Sequence, residues 1–187
     1  MNILVFTEGT ILVFSSGKNL PREDVVRLSQ QAGIQRVVRN VTLLDGALLP
    51  AVPKGSVYDF SSYIPLHHSV EKLLNWKEQG ATIYYLTSRR TKKEIDTIKK
   101  VLDTYHFPDV QNLIFRHKGD DYKNVAERLM PDVLIEDDCE SIGGTKEMTY
   151  PNMSNVAKQK IHSIVIKEFE GIDQLPTDIN KLETTLV

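Results

Sequence analysis

Four apolar runs of this chain are each followed at once by groups able to do chemistry. Ile3-Leu4-Val5-Phe6 leads into Thr7, Glu8, Gly9 and Thr10, and Tyr84-Tyr85-Leu86 into Thr87, Ser88, Arg89 and Arg90. Leu113-Ile114-Phe115 leads into Arg116, His117 and Lys118, and Val133-Leu134-Ile135 into Glu136, Asp137 and Asp138. In an open parallel sheet, ligands bind beyond the carboxyl ends of the strands. Hydroxyls ahead of a helix N-terminus suit phosphate oxygens, and a lysine offsets their charge. Adjacent carboxylates at a strand end suit Mg²⁺, a hard cation that takes oxygen ligands. Asp137 and Asp138 would repel one another without a cation or donor nearby, which makes them the candidate metal ligands.

The elements that must position these groups alternate along the chain. Pro21, Glu23 and Asp24 open a helix carrying Val25, Val26 and Leu28, which Gly33 stops. A second helix follows Pro65, with Val70, Leu73, Leu74 and Trp76 on its apolar side, and ends at Gly80. The run from Ala81 to Leu86 is β-branched and aromatic, so it reads as a buried strand. Thr91 and Glu94 form a capping box before Ile95, Ile98, Val101 and Leu102. A short helix is expected near 122–129 and a last strand over 161–169, before Gly171 and an acidic-polar tail. Residues 35–64 are less regular. Leu43-Leu44 and Leu48-Leu49 flank Asp45-Gly46, which predicts a hairpin, and Pro50, Pro53 and Gly55 mark loop. Alternating strands and helices imply an α/β domain with a mainly parallel central sheet covered on both faces.

Composition bounds the alternatives. With 187 residues, 41% hydrophobic and 26% charged, the chain suits one globular domain with a core. Lys and Arg number 23 against 25 Asp and Glu, so the uniformly basic surface of a general nucleic-acid binder is absent. A single cysteine, Cys139, excludes an intramolecular disulfide and a Cys-rich metal site. Glu8 interrupts the apolar start and no basic segment precedes it, and no run reaches the length of a bilayer span. The expected location is cytoplasmic, with no membrane partner.

The order of these strand-end motifs resembles the haloacid dehalogenase-like (HAD) superfamily, mostly Mg²⁺-dependent phosphatases and phosphotransferases. Its second motif, an apolar strand ending in Thr or Ser, is similar to Tyr84-Tyr85-Leu86-Thr87-Ser88. Its fourth is similar to Val133-Leu134-Ile135-Glu136-Asp137-Asp138, with Gly143-Gly144 following. Its third, a lysine upstream of the fourth, falls on Lys123 at a helix start or Lys118 in the preceding loop. The Leu-Thr-Ser and Leu-Ile-Glu-Asp-Asp wording also resembles the deoxyribonucleotidase-like branch. The resemblance spans most of the chain. It implies a HAD-like Rossmannoid three-layer sandwich over residues 1–187, with a small cap insertion at about 13–65.

The first motif departs from the family pattern. That pattern is an aspartate nucleophile, any residue, a second aspartate, then often Gly-Thr. Anchored on Gly9-Thr10, the chain has Phe6 at the nucleophile position and Glu8 at the general acid/base position. With one residue deleted, Thr7 stands where the nucleophile belongs. Phenylalanine cannot attack phosphorus or bind a metal, and threonine would need a base.

The resemblance therefore implies catalytic roles for Glu8, Thr87 and Lys123, and binding of a small phosphorylated molecule by Thr7, Thr10, Ser88, Arg89 and Lys118. Asp137 and Asp138 would hold Mg²⁺ weakly. Two functions fit: weak or altered Mg²⁺-dependent phosphoester hydrolysis, or a catalytically inactive phosphoryl-ligand-binding or regulatory domain. A dinucleotide-binding or P-loop protein is disfavoured, because neither glycine-rich motif occurs.

Other residues read more simply. Phe6 fits a core aromatic at a strand end. Arg90, Lys92 and Lys93 continue from Arg89 as a solvated helix face. His67-His68 lack cysteine partners for zinc, and Cys139 beside acids should have a raised thiol pKa that disfavours a nucleophilic role.

Overall fold

The computed structural model of the chain describes residues 1–33 and 52–185. Five strands form one parallel sheet: β1 (Asn2–Phe6), β4 (Thr82–Thr87), β5 (Leu113–Phe115), β6 (Val133–Asp137) and β7 (His162–Ile166). Their order is β5-β4-β1-β6-β7. Two further strands, β2 (Leu12–Val13) and β3 (Ile64–Pro65), pair antiparallel.

Side-chain alternation divides the core. Ile3, Val5, Ile83, Tyr85, Val133 and Ile135 face one cluster, which also takes Val25 and Val26 of α1 (Arg22–Ala32). The same cluster receives Leu73 and Trp76 of α2 (Ser69–Glu78) and Ile98, Val101 and Leu102 of α3 (Lys92–Thr104). Leu4, Leu86 and Leu134 face the opposite cluster, with Val125 and Ala126 of α4 (Tyr122–Leu129) and Ala157 of α5 (Asn155–Lys158). Burial on both faces explains why these strands read as continuous apolar runs. The result is the Rossmannoid α/β sandwich expected from the sequence, its five-stranded sheet wholly parallel.

Parallel pairing puts every strand's carboxyl end on one edge. The register sets Phe6 opposite Leu86, Thr87 opposite Phe115, and Asp137 opposite Ile166. The chain runs from β1 outward through β4 and β5, then crosses to the other side of β1 for β6 and β7. The order reverses between β1 and β6, where a crevice opens in such sheets.

Two boundaries differ from expectation. β6 extends through Asp137, because Glu136 and Asp137 pair with Val165 and Ile166. The last strand stops at Ile166, short of Phe169. Phe169 takes a left-handed conformation (φ 64°), and its N–H donates to Gly9 O at 2.7 Å, so the chain turns across the loop after β1.

The segment 13–65 leaves and returns through the β2–β3 pair, braced by Leu66 N–H donating to Ile11 O at 2.9 Å. Within it α1, Val57, Phe60 and Tyr63 pack into the same core as the sheet. The expected hairpin around Asp45-Gly46 lies outside the described residues. Among the described residues, no helix is long and apolar enough to cross a membrane.

The capping box of α3 is present in both directions, with Glu94 N–H donating to Thr91 Oγ1 and Thr91 N–H to the Glu94 carboxylate. Thr91→Ala should cost about 1 kcal/mol in urea denaturation, and Thr91→Ser should retain most of it.

Candidate functional site

The loop after β1 closes on itself, with Ile11 and Leu12 N–H both donating to Thr7 O and Gly9 N–H donating to Leu12 O. This tight path makes Thr7, Glu8 and Thr10 converge on the neighbouring strand tips. Gly9 has φ +86°, and a Cβ there would stand 2.8 Å from Asp137 Oδ2. Only glycine lets this backbone approach the tip of β6 so closely.

On the β4 side, five donors meet the Glu8 carboxylate. Thr87 Oγ1 donates to Oε1 at 2.6 Å, and Arg89 Nε lies 3.2 Å from the same oxygen. Oε2 accepts from Thr7 Oγ1 at 2.7 Å, Ser88 N–H at 2.9 Å and Ser88 Oγ at 3.2 Å. Burial opposes ionisation of Glu8, but Arg89, the Ser88 amide and the Thr87 and Thr7 hydroxyls outweigh it and hold the carboxyl below its ordinary range. Arg89 is itself fixed: its guanidinium lies 4.1 Å over the Phe60 ring and donates to Ser88 Oγ.

The β6 side is different in character. Asp137 accepts from Thr10 Oγ1 at 2.8 Å and Cys139 N–H at 2.9 Å, yet burial pushes it up to about 6. Glu168, brought in by the turn after β7, accepts from Ser141 N–H at 2.6 Å and Ser141 Oγ at 2.7 Å. Burial, then the charge of Asp137, raises it to about 7. Asp138 Oδ1 accepts from Glu168 N–H at 3.1 Å. Carboxylate oxygens of Asp137, Asp138 and Glu168 lie within 4.8 Å of one another. An all-oxygen set this close together suits a hard divalent cation. Glu136 accepts from the Thr149 and Tyr150 N–H groups at 2.6 and 2.8 Å and is raised to about 7 by burial, anchoring the loop beyond β6. The Cys139 thiol is pushed far up by burial and then by Asp137, Glu136 and Glu168, as expected for an inert thiol.

Between the two sides lies a cavity of about 300 Å³. Phe6, Phe14, Phe60, Tyr63, Tyr122 and Phe169 wall it. Its polar lining includes Glu8, Ser88, Arg89, Arg116, Asp137 and Glu168. Phe6 meets Tyr122 edge-on at 5.2 Å, so the end of β1 presents a ring to the cavity.

Of the residues singled out in the sequence, Glu8, Ser88, Arg89 and Asp137 line the cavity. Thr7, Thr10 and Thr87 are fully buried behind it and reach it through Glu8 and Asp137. Asp138 joins the acid cluster from outside the lining set. Lys118 is exposed, Lys123 is half-buried on α4, and neither is among the lining residues. The cation that does line the cavity from that side is Arg116, buried, its guanidinium 3.7 Å over the Tyr122 ring. Glu168 was missed by sequence reasoning. Its signal was the one used elsewhere, an acid just past a parallel strand, obscured by placing the end of that strand three residues late.

Two measurements follow from this geometry. Gly9→Ala should lose more stability than Gly80→Ala, because Gly80 shares the positive φ (+95°) but has nothing within 4 Å of its Cβ position. The backbone costs about 1–2 kcal/mol at each, and urea denaturation reads the clash with Asp137 as the excess. The raised carboxyls set a pH slope. Asp137, Glu136 and Glu168 keep protons in the folded state that the unfolded chain has released, so their contribution to stability falls as pH rises from about 4 to about 7. Glu168→Gln should flatten that decline in urea midpoints measured across the window.

No family model matches the sequence, and no curated protein matches it. Among solved structures, the fold is similar to "The crystal structure of Class C acid phosphatase from Bacillus anthracis with tungstate bound". The likeness has 13% sequence identity and a TM-score of 0.49, over 98% of this chain and 77% of that one.

Proposed function

We propose that the chain is a HAD-like domain that binds a small phosphorylated molecule together with Mg²⁺ and does not hydrolyse it through an aspartyl-phosphate. The observation carrying this reading is the state of the two acid positions after β1. Phe6 presents an aromatic ring to the cavity, and Glu8 has both carboxylate oxygens taken by donors. A general acid must hold a proton near neutral pH, and a carboxyl held below its ordinary range does not. The hydrolytic alternative with Thr7 attacking requires an accessible hydroxyl, whereas Thr7 is fully buried with Oγ1 donating to Glu8.

Binding has more support than turnover. Asp137, Asp138 and Glu168 would hold the cation, which when bound supplies positive charge to a phosphoryl group beside it. Arg89 and Arg116, each stacked on a ring, offer guanidinium charge from the other side, and the aromatic walls suit the ligand's apolar part. Lys118 and Lys123 remain candidates for an outer role in steering the anion.

Wild-type protein should show no turnover across a panel of phosphomonoesters with Mg²⁺, while members of that panel raise its melting temperature by mass action. Flat melting temperatures with every phosphoester and Mg²⁺ would overturn the binding reading, and clear turnover would restore the hydrolytic one. Mg²⁺ alone should stabilise more at pH 8 than at pH 5.5, because protons compete for the raised carboxyls. Asp138→Asn should remove most of that shift.

A further inference from the structure

The groups around Glu8 have the composition of an oxyanion-binding site. Two side-chain hydroxyls and a main-chain N–H from the tip of β4, a third hydroxyl from Thr7 and the Arg89 guanidinium converge on two oxygens. Three of the five donors come from Thr87 and Ser88, in the segment that leads into α3. Hydroxyls, a backbone amide and an arginine together are what a phosphate or sulfate oxygen accepts from. Glu8, Ser88 and Arg89 also line the cavity, so the cradle opens towards any molecule held there.

We infer that the Glu8 carboxylate is a resident occupant of this oxyanion cradle, a competitor within the chain for the phosphoryl group of a ligand. The inference deepens the binding reading above. It assigns the cradle as the phosphoryl subsite and makes displacement of Glu8 the condition for filling it. A carboxylate presents two oxygens to donors that could serve three or four, so a tetrahedral dianion can replace it and gain contacts. The chain thereby has a built-in threshold: only an anion that outcompetes a covalently tethered carboxylate enters. Tethering gives that carboxylate a high effective concentration, which keeps the cradle closed to dilute inorganic anions. Phe60, on the returning limb of the 13–65 segment, stacks on Arg89 and so links this threshold to the placement of that limb.

The test uses inorganic phosphate as the probe, titrated calorimetrically into full-length wild type, Glu8→Ala and Glu8→Gln, with folding checked by circular dichroism. Glu8→Ala should bind phosphate at least about tenfold more tightly than wild type, since the tethered competitor is gone. Adding Thr87→Val to Glu8→Ala should abolish the gain. Formate should raise the melting temperature of Glu8→Ala but not of wild type, by refilling the vacated cradle. If Glu8→Ala does not fold, Glu8→Gln carries the test: its neutral amide turns donors towards donors and should also admit phosphate more readily. Phosphate affinity equal to wild type in whichever of these variants folds would overturn the inference and leave Glu8 a structural clamp. The outcome is separable from the reading above, because phosphate on the Glu8 variants reports the cradle alone, whereas the phosphoester panel on wild type reports the cavity's ligand.

Discussion

A carboxylate taken out of water costs several kcal/mol unless donors replace its hydration, and Glu8 meets that constraint with a full set of donors. Its side chain is 11% exposed, and five donors answer for it. The loop after β1 lies between the tips of two strands and is tied to both by side chains: to β4 by Glu8 and Thr7, to β6 by Thr10 through Asp137. Gly9, between them, allows both ties because its backbone can take a positive φ hard against Asp137. The sheet's functional edge is thus a closed network of hydrogen bonds whose members depend on one another. Breaking it at one carboxylate leaves several buried donors unanswered.

The same loop divides the site into two electrostatic halves. On the β4 side donors outnumber acceptors, and the carboxyl there is held ionised. On the β6 and β7 side acids crowd together, and their carboxyls are pushed up to about 6 and 7. The two shifts run in opposite directions because donors surround the Glu8 carboxylate, whereas burial dominates at Asp137 and Glu168. The anion side is satisfied internally. On the acid side, carboxylate oxygens of Asp137, Asp138 and Glu168 lie within 4.8 Å of one another.

Much of this edge was legible from residue types. The strands are buried on both faces, so their apolar runs stand out against the polar tips that follow them. Thr91 and Glu94 announced α3, since a capping box is a local device that tertiary context rarely overrides. What the sequence could not convey is which polar tip faces which. Thr87 was readable as a group for phosphate oxygens, but its donation to Glu8 depends on the register of β1 against β4 and on a loop that folds back. Glu168 depends on a left-handed residue, Phe169, which no periodicity marks. Lys118 and Lys123 were attractive as charges, yet at that corner Arg116 reaches the cavity because a planar guanidinium can stack on Tyr122.

The aromatic residues then take on a meaning that composition alone does not suggest. Two of the cavity's arginines lie over rings, Arg89 over Phe60 and Arg116 over Tyr122, and Phe6 meets Tyr122 edge-on. Stacking on a ring restricts the plane of each guanidinium, so these two cations are held in place by the protein itself. Phe6 is therefore part of the support for a cation: through Tyr122 it helps hold the Arg116 guanidinium at the cavity wall.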